Sequence, residues 1–279
     1  RHHGVDEGVD AGQDLFRMLV RAWKKCKATG TVHILRDADI EEEYHALFMQ
    51  DAIRAAGLQS KVLVGLDDLR WDSGGNLVDG DQEPVLWVWK TWAWETALDQ
   101  IRDECLTLES DGYEPRADEG SRPTLSDVLL NKQVMVYEPL WSLIPSNKAI
   151  LPILSMLFPN HPLLLNSTFE LTEELQASGY VSKPIVGRCG ANIALFDANE
   201  GLLTETEGGF EEQLKIYQQY FALPLIDGCY TQISTFMTSG VYAGAGSRVD
   251  QSRVINRDSD CLPLISVNDK HFLRMINGL

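Results

Sequence analysis

The sequence predicts a chain of two characters, an α/β, Rossmann-like parallel half followed by an α+β half rich in antiparallel sheet. Three observations carry this. Strand-like and helix-like periodicities alternate from residue 13 to residue 105, the order that builds a parallel sheet through crossover helices. A polar stretch over 110–123, holding two glycines and two prolines, then interrupts the pattern. Beyond it, β-branched and aromatic runs separated by glycine turns dominate, as in paired strands.

Each element follows from its residues. Leu15, Phe16, Leu19, Val20 and Trp23 fall at helical spacing and predict a helix over 13–27, ended by Thr29-Gly30. A short strand is expected over 31–35. A helix over 39–56 places Ile40, Tyr44, Leu47 and Phe48 on one face, and Gly57 closes it. A strand over 61–64 follows, then a small hairpin element at 76–78 before Asp79-Gly80. PVLWVWK predicts a strand over 84–90, and a helix is expected over 91–105. After the polar stretch come a strand over 134–137 and a helix over 147–158, with Pro152 expected to kink it. The remaining strands are expected over 180–185, 192–196, 216–221, 230–238, 241–247 and 262–267.

With 279 residues, one or two domains are expected. The 44% hydrophobic and 23% charged fractions are those of a globular protein. There is no run of eighteen apolar residues, so no membrane-spanning helix is predicted. The start, RHHGVDEGVDAGQD, has no apolar secretory core and no initiator Met, and the chain is expected to begin inside a longer polypeptide. Five cysteines without a CxxC pair and six histidines without HxH or HxxxH spacing argue against zinc or a disulfide framework. A cytoplasmic protein is expected. The net charge of −17 repels nucleic-acid backbone and anionic membrane, so neither is expected as a partner. It favours a cationic partner, although acidic charge also serves solubility alone.

Several segments carry candidate chemistry. In YVSKPIVGRCGANI, a strand bearing Lys183 breaks into Gly187-Arg188-Cys189-Gly190 and resumes. Glycines let backbone N–H groups approach a ligand, and a guanidinium suits phosphate oxygens. The segment reads either as a phosphate clamp or as a hairpin with an exposed arginine. Asp37, Asp39, Glu41, Glu42 and Glu43 crowd a helix start just past the carboxyl end of a parallel strand. Asp39 with Glu42 fits a capping box, and first-turn acids gain about 0.3–1 kcal/mol each from the helix dipole. Five acids repel one another, however, and the strand end is where open α/β sheets bind ligands; an amine or polycation is the alternative reading.

Four tryptophans in WVWKTWAWE are expected to form a junction between domains. Lys148 at a helix start opposes the dipole unless an anion sits there too. IYQQYF running into ALPL offers backbone groups that could read an adenine edge, and Arg248 closes a glycine-rich strand. Neither GxxxxGK[ST] nor GxGxxG is present.

The blocks EEEYHALFMQ, VWKTWAWETALDQIR, EPLWSLIPSNKAILPIL, SKPIVGRCGANI, IYQQYFALP and RVDQSRVI resemble, in this order and spacing, the synthetase domain of glutathionylspermidine synthetases, members of the ATP-grasp superfamily. The resemblance runs from Asp39 to Val267 and suggests the carboxyl-terminal part of such a domain. It implies a Rossmann-like, pre-ATP-grasp polyamine domain over 1–108, a connecting loop over 109–123, and an ATP-grasp domain over 124–279 with a glycine-rich lid near 180–196. It implies an ATP- and Mg²⁺-dependent carbon–nitrogen ligase joining glutathione to spermidine through an acyl phosphate. By the same resemblance, Lys148, Lys183, Gln218 and Gln219 are implied on the ATP side. Arg188 and Arg248 are implied in catalysis, and Glu41 and Glu42 as spermidine ligands. The acidic and asparagine residues that hold Mg²⁺ in the family fall upstream of Arg1 in that pattern, so metal ligands are not placed. A related ligase with another amine acceptor and a noncatalytic polyamine-binding fragment stay open, as do a preceding amidase domain and a homodimer.

Overall fold

Four parallel strands, in the order Gln59–Val64, Thr31–Arg36, Trp87–Lys90 and Met135–Tyr137, form the sheet of the first unit. The computed structural model describes residues 8–111, 118–199 and 201–270. It divides into a unit spanning Phe16–Leu143 and a second that joins residues up to Leu15 with those from Ile144 onward.

Alternation along the central strand builds two cores. Val32 and Ile34 pack on one face with Trp23, Ala46, Ala52, Ile53 and Trp89. Leu35 and Val88 pack on the other with Leu69, Trp94, Ala97, Ile101, Leu125, Val128 and Val136. Period two thus sends successive residues into opposite layers. The helices Asp14–Lys25 and Ile40–Ala55 cover the first face, and Trp94–Asp111 with Leu125–Leu129 the second. The tryptophan cluster belongs to these cores. Trp89 and Trp94 are buried on opposite faces, and the Trp87 Nε1–H donates to Thr29 O.

The expected boundary over 109–123 does not divide the structure. Residues 112–117 lie outside the described residues. Trp94–Asp111 is continuous helix, and Gly120 and Ser121 exchange backbone hydrogen bonds with Trp71. Met135–Tyr137 then pairs with Trp87–Lys90, which keeps the chain in the first unit to Leu143. Within that unit the predicted hairpin element is real, pairing Leu77–Val78 with Arg70–Trp71.

The second unit is antiparallel, as expected. Five strands lie in the order Leu202–Glu205, Ala194–Phe196, Tyr180–Pro184, Lys215–Gln219 and Ser167–Thr168. Four more lie in the order Leu225–Ile226, Cys229–Thr238, Val241–Asp250 and Asp260–Leu262. The strand expected over 262–267 is split, and its later part, Ile265–Ser266, pairs with Val9–Asp10. Pro152 does not kink a helix. The helix begins only at Ile150, so Pro152 sits in its first turn, where a backbone N–H has no intrahelical acceptor anyway. The bend of 71° falls earlier, between Leu140–Ser146 and Ile150–Leu157. No single helix among the described residues is long and apolar enough to cross a membrane.

Candidate functional site

The second unit holds a cavity of about 430 Å³ whose walls come from separate elements. Lys183 enters from the strand Tyr180–Pro184, and Lys148 from the segment before Ile150–Leu157. Arg248 comes from Val241–Asp250, and Arg253 from just beyond it. Phe221 and Leu223 supply apolar wall, from the connector that follows Lys215–Gln219. Among the described residues, four cations line this space and no carboxylate does, in a chain of net charge −17.

Local hydrogen bonds fix this convergence. The Lys148 backbone N–H donates to Ile185 O at 2.9 Å, and its Nζ to Gly187 O at 2.7 Å. These bonds tie the helix start to the glycine turn. A Cβ at Gly187 would lie 3.6 Å from the Lys148 Nζ and 3.0 Å from Pro184. At Gly190, φ is +71° and a Cβ would meet Ile255 O at 2.5 Å, so only glycine fits this close approach. Thr206 pins the far side of the turn, its hydroxyl donating to Gly190 O at 2.6 Å and accepting from the Ile193 N–H at 2.9 Å. Of the expected lid over 180–196, the segments Tyr180–Pro184 and Ala194–Phe196 are paired strands, and only the turn between them lies outside the sheet.

Burial, and then the nearby Lys148 charge, pushes Lys183 down to about 8. Its Nζ donates to Gln218 Oε1 at 2.5 Å. The Arg248 Nη2 donates to Asn256 O at 2.6 Å and to Arg257 O at 3.1 Å, while its buried Nε–H has no partner among the described residues. Arg253 donates to Tyr220 Oη at 3.4 Å and lies 5.5 Å from the Tyr230 ring centroid. Lys148, Lys183 and Arg248 therefore line one cavity. Arg188 does not line the cavity; it is exposed on the turn.

Gln218 and Gln219 part company. Adjacent strand residues face opposite sides, so Gln218 is buried against Lys183 while Gln219 lines a different cavity of about 250 Å³ with Asn160, Asn166 and Glu174. Arg253 was missed by sequence reasoning, although it lies in the RVDQSRVI block.

The first unit has a switch point in its strand order. Thr31–Arg36 is flanked by the strand that follows it in sequence on one side and by Trp87–Lys90 on the other, so the chain's direction of winding reverses between them. Ligands bind at the carboxyl ends of strands at such a switch point. Arg36 stands there, paired with Glu43 at 3.1 Å. Asp39 caps the helix by accepting from the Glu41 N–H at 2.8 Å; the expected capping box with Glu42 does not form. The Glu42 Oε2 is instead buried with no hydrogen-bond partner among the described residues, as is the Thr91 Oγ1 beyond the next strand. Lys90, fully buried, donates to Trp92 O at 2.6 Å and sits 4.4 Å from the Trp94 ring centroid. Burial raises the Glu138 carboxyl despite the opposing Lys90 charge.

His33, Asp79 and Glu83 place ligand atoms within 4.8 Å of one another. The Lys61 ammonium already occupies this acidic nest, 2.6 Å from Asp79, 2.7 Å from Asp81 and 3.0 Å from Glu83. Desolvation would raise Asp79, but the Lys61 ammonium and the Glu83 amide outweigh it and bring it to about 2. His33, buried, is held below its ordinary value by desolvation.

The chain thus combines a parallel α/β unit with an antiparallel unit that holds a cation-lined cavity. The chain belongs to the glutathionylspermidine synthase preATP-grasp family, which matches residues 5–266. It is 49% identical over 264 residues to the bifunctional glutathionylspermidine synthetase/amidase of Escherichia coli, covering 93% of this chain and 42% of that protein. It is 41% identical over 260 residues to the trypanothione synthetase of Crithidia fasciculata, covering 92% and 39% respectively. To the glutathionylspermidine synthase of the same organism it is 30% identical over 331 residues, covering 96% and 45%. The chain thus spans less than half the length of these relatives.

Proposed function

We propose that this chain is the nucleotide- and polyamine-binding part of an ATP-dependent ligase joining the glycine carboxylate of glutathione to an amine of spermidine. The observation that carries the reading is the cavity: four cations and no acid among the described residues, in a strongly acidic chain, suit a polyphosphate. Its volume lies in the range of small-ligand sites.

In this reading Lys148 and Lys183 hold the phosphates, with Arg253 beside them. Phe221 and Leu223 face the base, and Gln219 has no part. The glycine carboxylate of glutathione attacks the terminal phosphorus, ADP leaves, and an acyl phosphate forms. An uncharged amine of spermidine then attacks the acyl carbon, phosphate leaves, and the amine proton passes to solvent. Arg248, anchored by backbone carbonyls, offsets charge on the transferring group. Arg188 acts there when the 187–190 turn folds over the cavity as a lid. Glu41 and Glu42 take the polyamine at the switch point. The cavity lining does not fit Mg²⁺ by its donors, since it has no carboxylate among the described residues.

The test is ADP release by the full-length protein. It should require both glutathione and spermidine and accompany a conjugate of the summed mass less water. ADP release indifferent to both substrates would overturn the reading. Release with glutathione and a different amine would favour a related ligase, since the switch-point carboxylates suit cations generally.

A further inference from the structure

Gln218 is where the structure departs most from its expected role at the adenine. Its side chain lies on the face of the sheet that carries Lys183, diagonal to it across the pair Lys215–Gln219 and Tyr180–Pro184. The Lys183 Nζ donates to Gln218 Oε1 at 2.5 Å, and Gln218 Nε2 donates to Ser167 Oγ at 3.0 Å. The Ser167 hydroxyl donates in turn to Leu165 O at 3.0 Å. The Ser167 N–H donates to Ser155 Oγ at 3.1 Å, and Ser155 donates to the same Leu165 O at 3.3 Å. Ser167 is 2% exposed and Gln218 8%.

The polarity of this chain has one solution. An ammonium has only donors, so the amide must present its oxygen to Lys183. The amide nitrogen must then find an acceptor, and the serine oxygen is that acceptor because its proton is spent on Leu165. A flipped amide would set N–H groups against the ammonium. A buried glutamine needing only satisfaction could close on any backbone group; this one ends on a cavity-lining cation.

We infer that Ser167 and Gln218 are positioning residues, a buried relay that holds Lys183 in the geometry that receives a nucleotide phosphate; this rests on the nucleotide reading of the cavity. The titratable groups that share the cavity with Lys183 are Lys148, Cys189, Arg248 and Arg253, of which the Lys148 charge acts on it, and Gln218 contacts it from behind. Burial and Lys148 both disfavour its charged form, and the relay's oxygen is the contact that opposes them. Weakening the relay therefore lowers the pH at which Lys183 loses its proton, and strengthening it raises that pH.

The experiment measures, on the full-length protein, the pH midpoint of Lys183 modification by acetic anhydride, read by peptide mass, and the affinity for ADP. Wild type should show a midpoint near 8. Ser167→Ala and Gln218→Met should lower the midpoint by ~0.5–1 unit and weaken ADP by roughly 3–10-fold, the scale of one buried hydrogen bond. Ser167→Thr keeps the hydroxyl and should restore both values. Gln218→Glu, close to isosteric and expected to fold, should move the midpoint upward. Midpoints in Gln218→Glu and Ser167→Ala that match wild type would overturn the relay even if ADP binds. A wild type that binds no ADP would overturn the nucleotide reading, and the relay's role with it, whatever the midpoints do.

Discussion

Replacing Lys183 by Met should separate ligand binding from folding, and the direction of the stability change should depend on pH. The lysine is held at about 8 from an ordinary 10.5, which corresponds to about 3 kcal/mol of destabilisation at neutral pH. The sign follows from proton counts. Between about pH 8 and 10.5 the unfolded chain keeps a proton that the folded protein has lost, so stability rises with pH across that window. Methionine removes this cost but leaves Gln218 Oε1 without its donor, a loss of about 1–3 kcal/mol. At pH 7 the two nearly offset, and the variant should match wild type or exceed it by up to about 2 kcal/mol. Near pH 10.5 only the loss remains, and the variant should be less stable by about 1–3 kcal/mol. A charge-assisted phosphate contact contributes about 1.5–3 kcal/mol, so ADP affinity at pH 7 should fall roughly 10- to 150-fold. Urea denaturation at the two pH values and calorimetric titration with ADP read these quantities. Equal destabilisation at both pH values with ADP affinity within about twofold of wild type would refute the argument, and Lys183 would be a structural lysine.

Glu41→Gln and Glu42→Gln, in the full-length enzyme, should raise the spermidine KM roughly 10- to 100-fold per site while leaving that for ATP nearly unchanged; an unchanged spermidine KM in both would end the polyamine assignment. Asp79→Asn should cost about 1–3 kcal/mol at pH 7, because the buried His33 loses its carboxylate partner while the Lys61 ammonium keeps Asp81 and Glu83. Acid unfolding of wild type should show two limbs. His33 is held low, so stability falls once the unfolded histidine protonates, below about pH 6.5. Asp79 is also held low, so its contribution is complete above about pH 4 and is lost as the pH falls toward 2. The Asn variant should lack the second limb, and a wild-type profile flat down to pH 3 would contradict both assignments.

Period and punctuation made much of this fold legible. The runs around 31–36, 87–90 and 229–250 announced themselves because each alternates or stays apolar long enough to register. Two-residue strands such as Arg70–Trp71 and Ser167–Thr168 have no period to read and exist through their partners alone. The short helix Leu125–Leu129 was legible but passed over, since Thr124 and Asp127 form a capping box. In the cavity, Lys148, Lys183 and Arg248 could be named because unusual local settings marked them. The divergence of Gln218 from Gln219 was implicit in strand alternation. The grip of Lys61 on Asp79 was not, because it joins residues eighteen apart through a loop.

The contrast between an acidic body and a cationic cavity also governs how molecules arrive. Beyond a Debye length of about 8 Å at physiological salt, an approaching solute senses mainly the summed charge, and inside that distance mainly the nearest groups. A polyphosphate therefore meets a repulsive shell around this chain before it reaches the four cations. A polyamine is drawn in from farther out. Under the proposed function, added salt should speed capture of the first and slow capture of the second, so the two would report opposite ionic-strength dependences of association on the same protein.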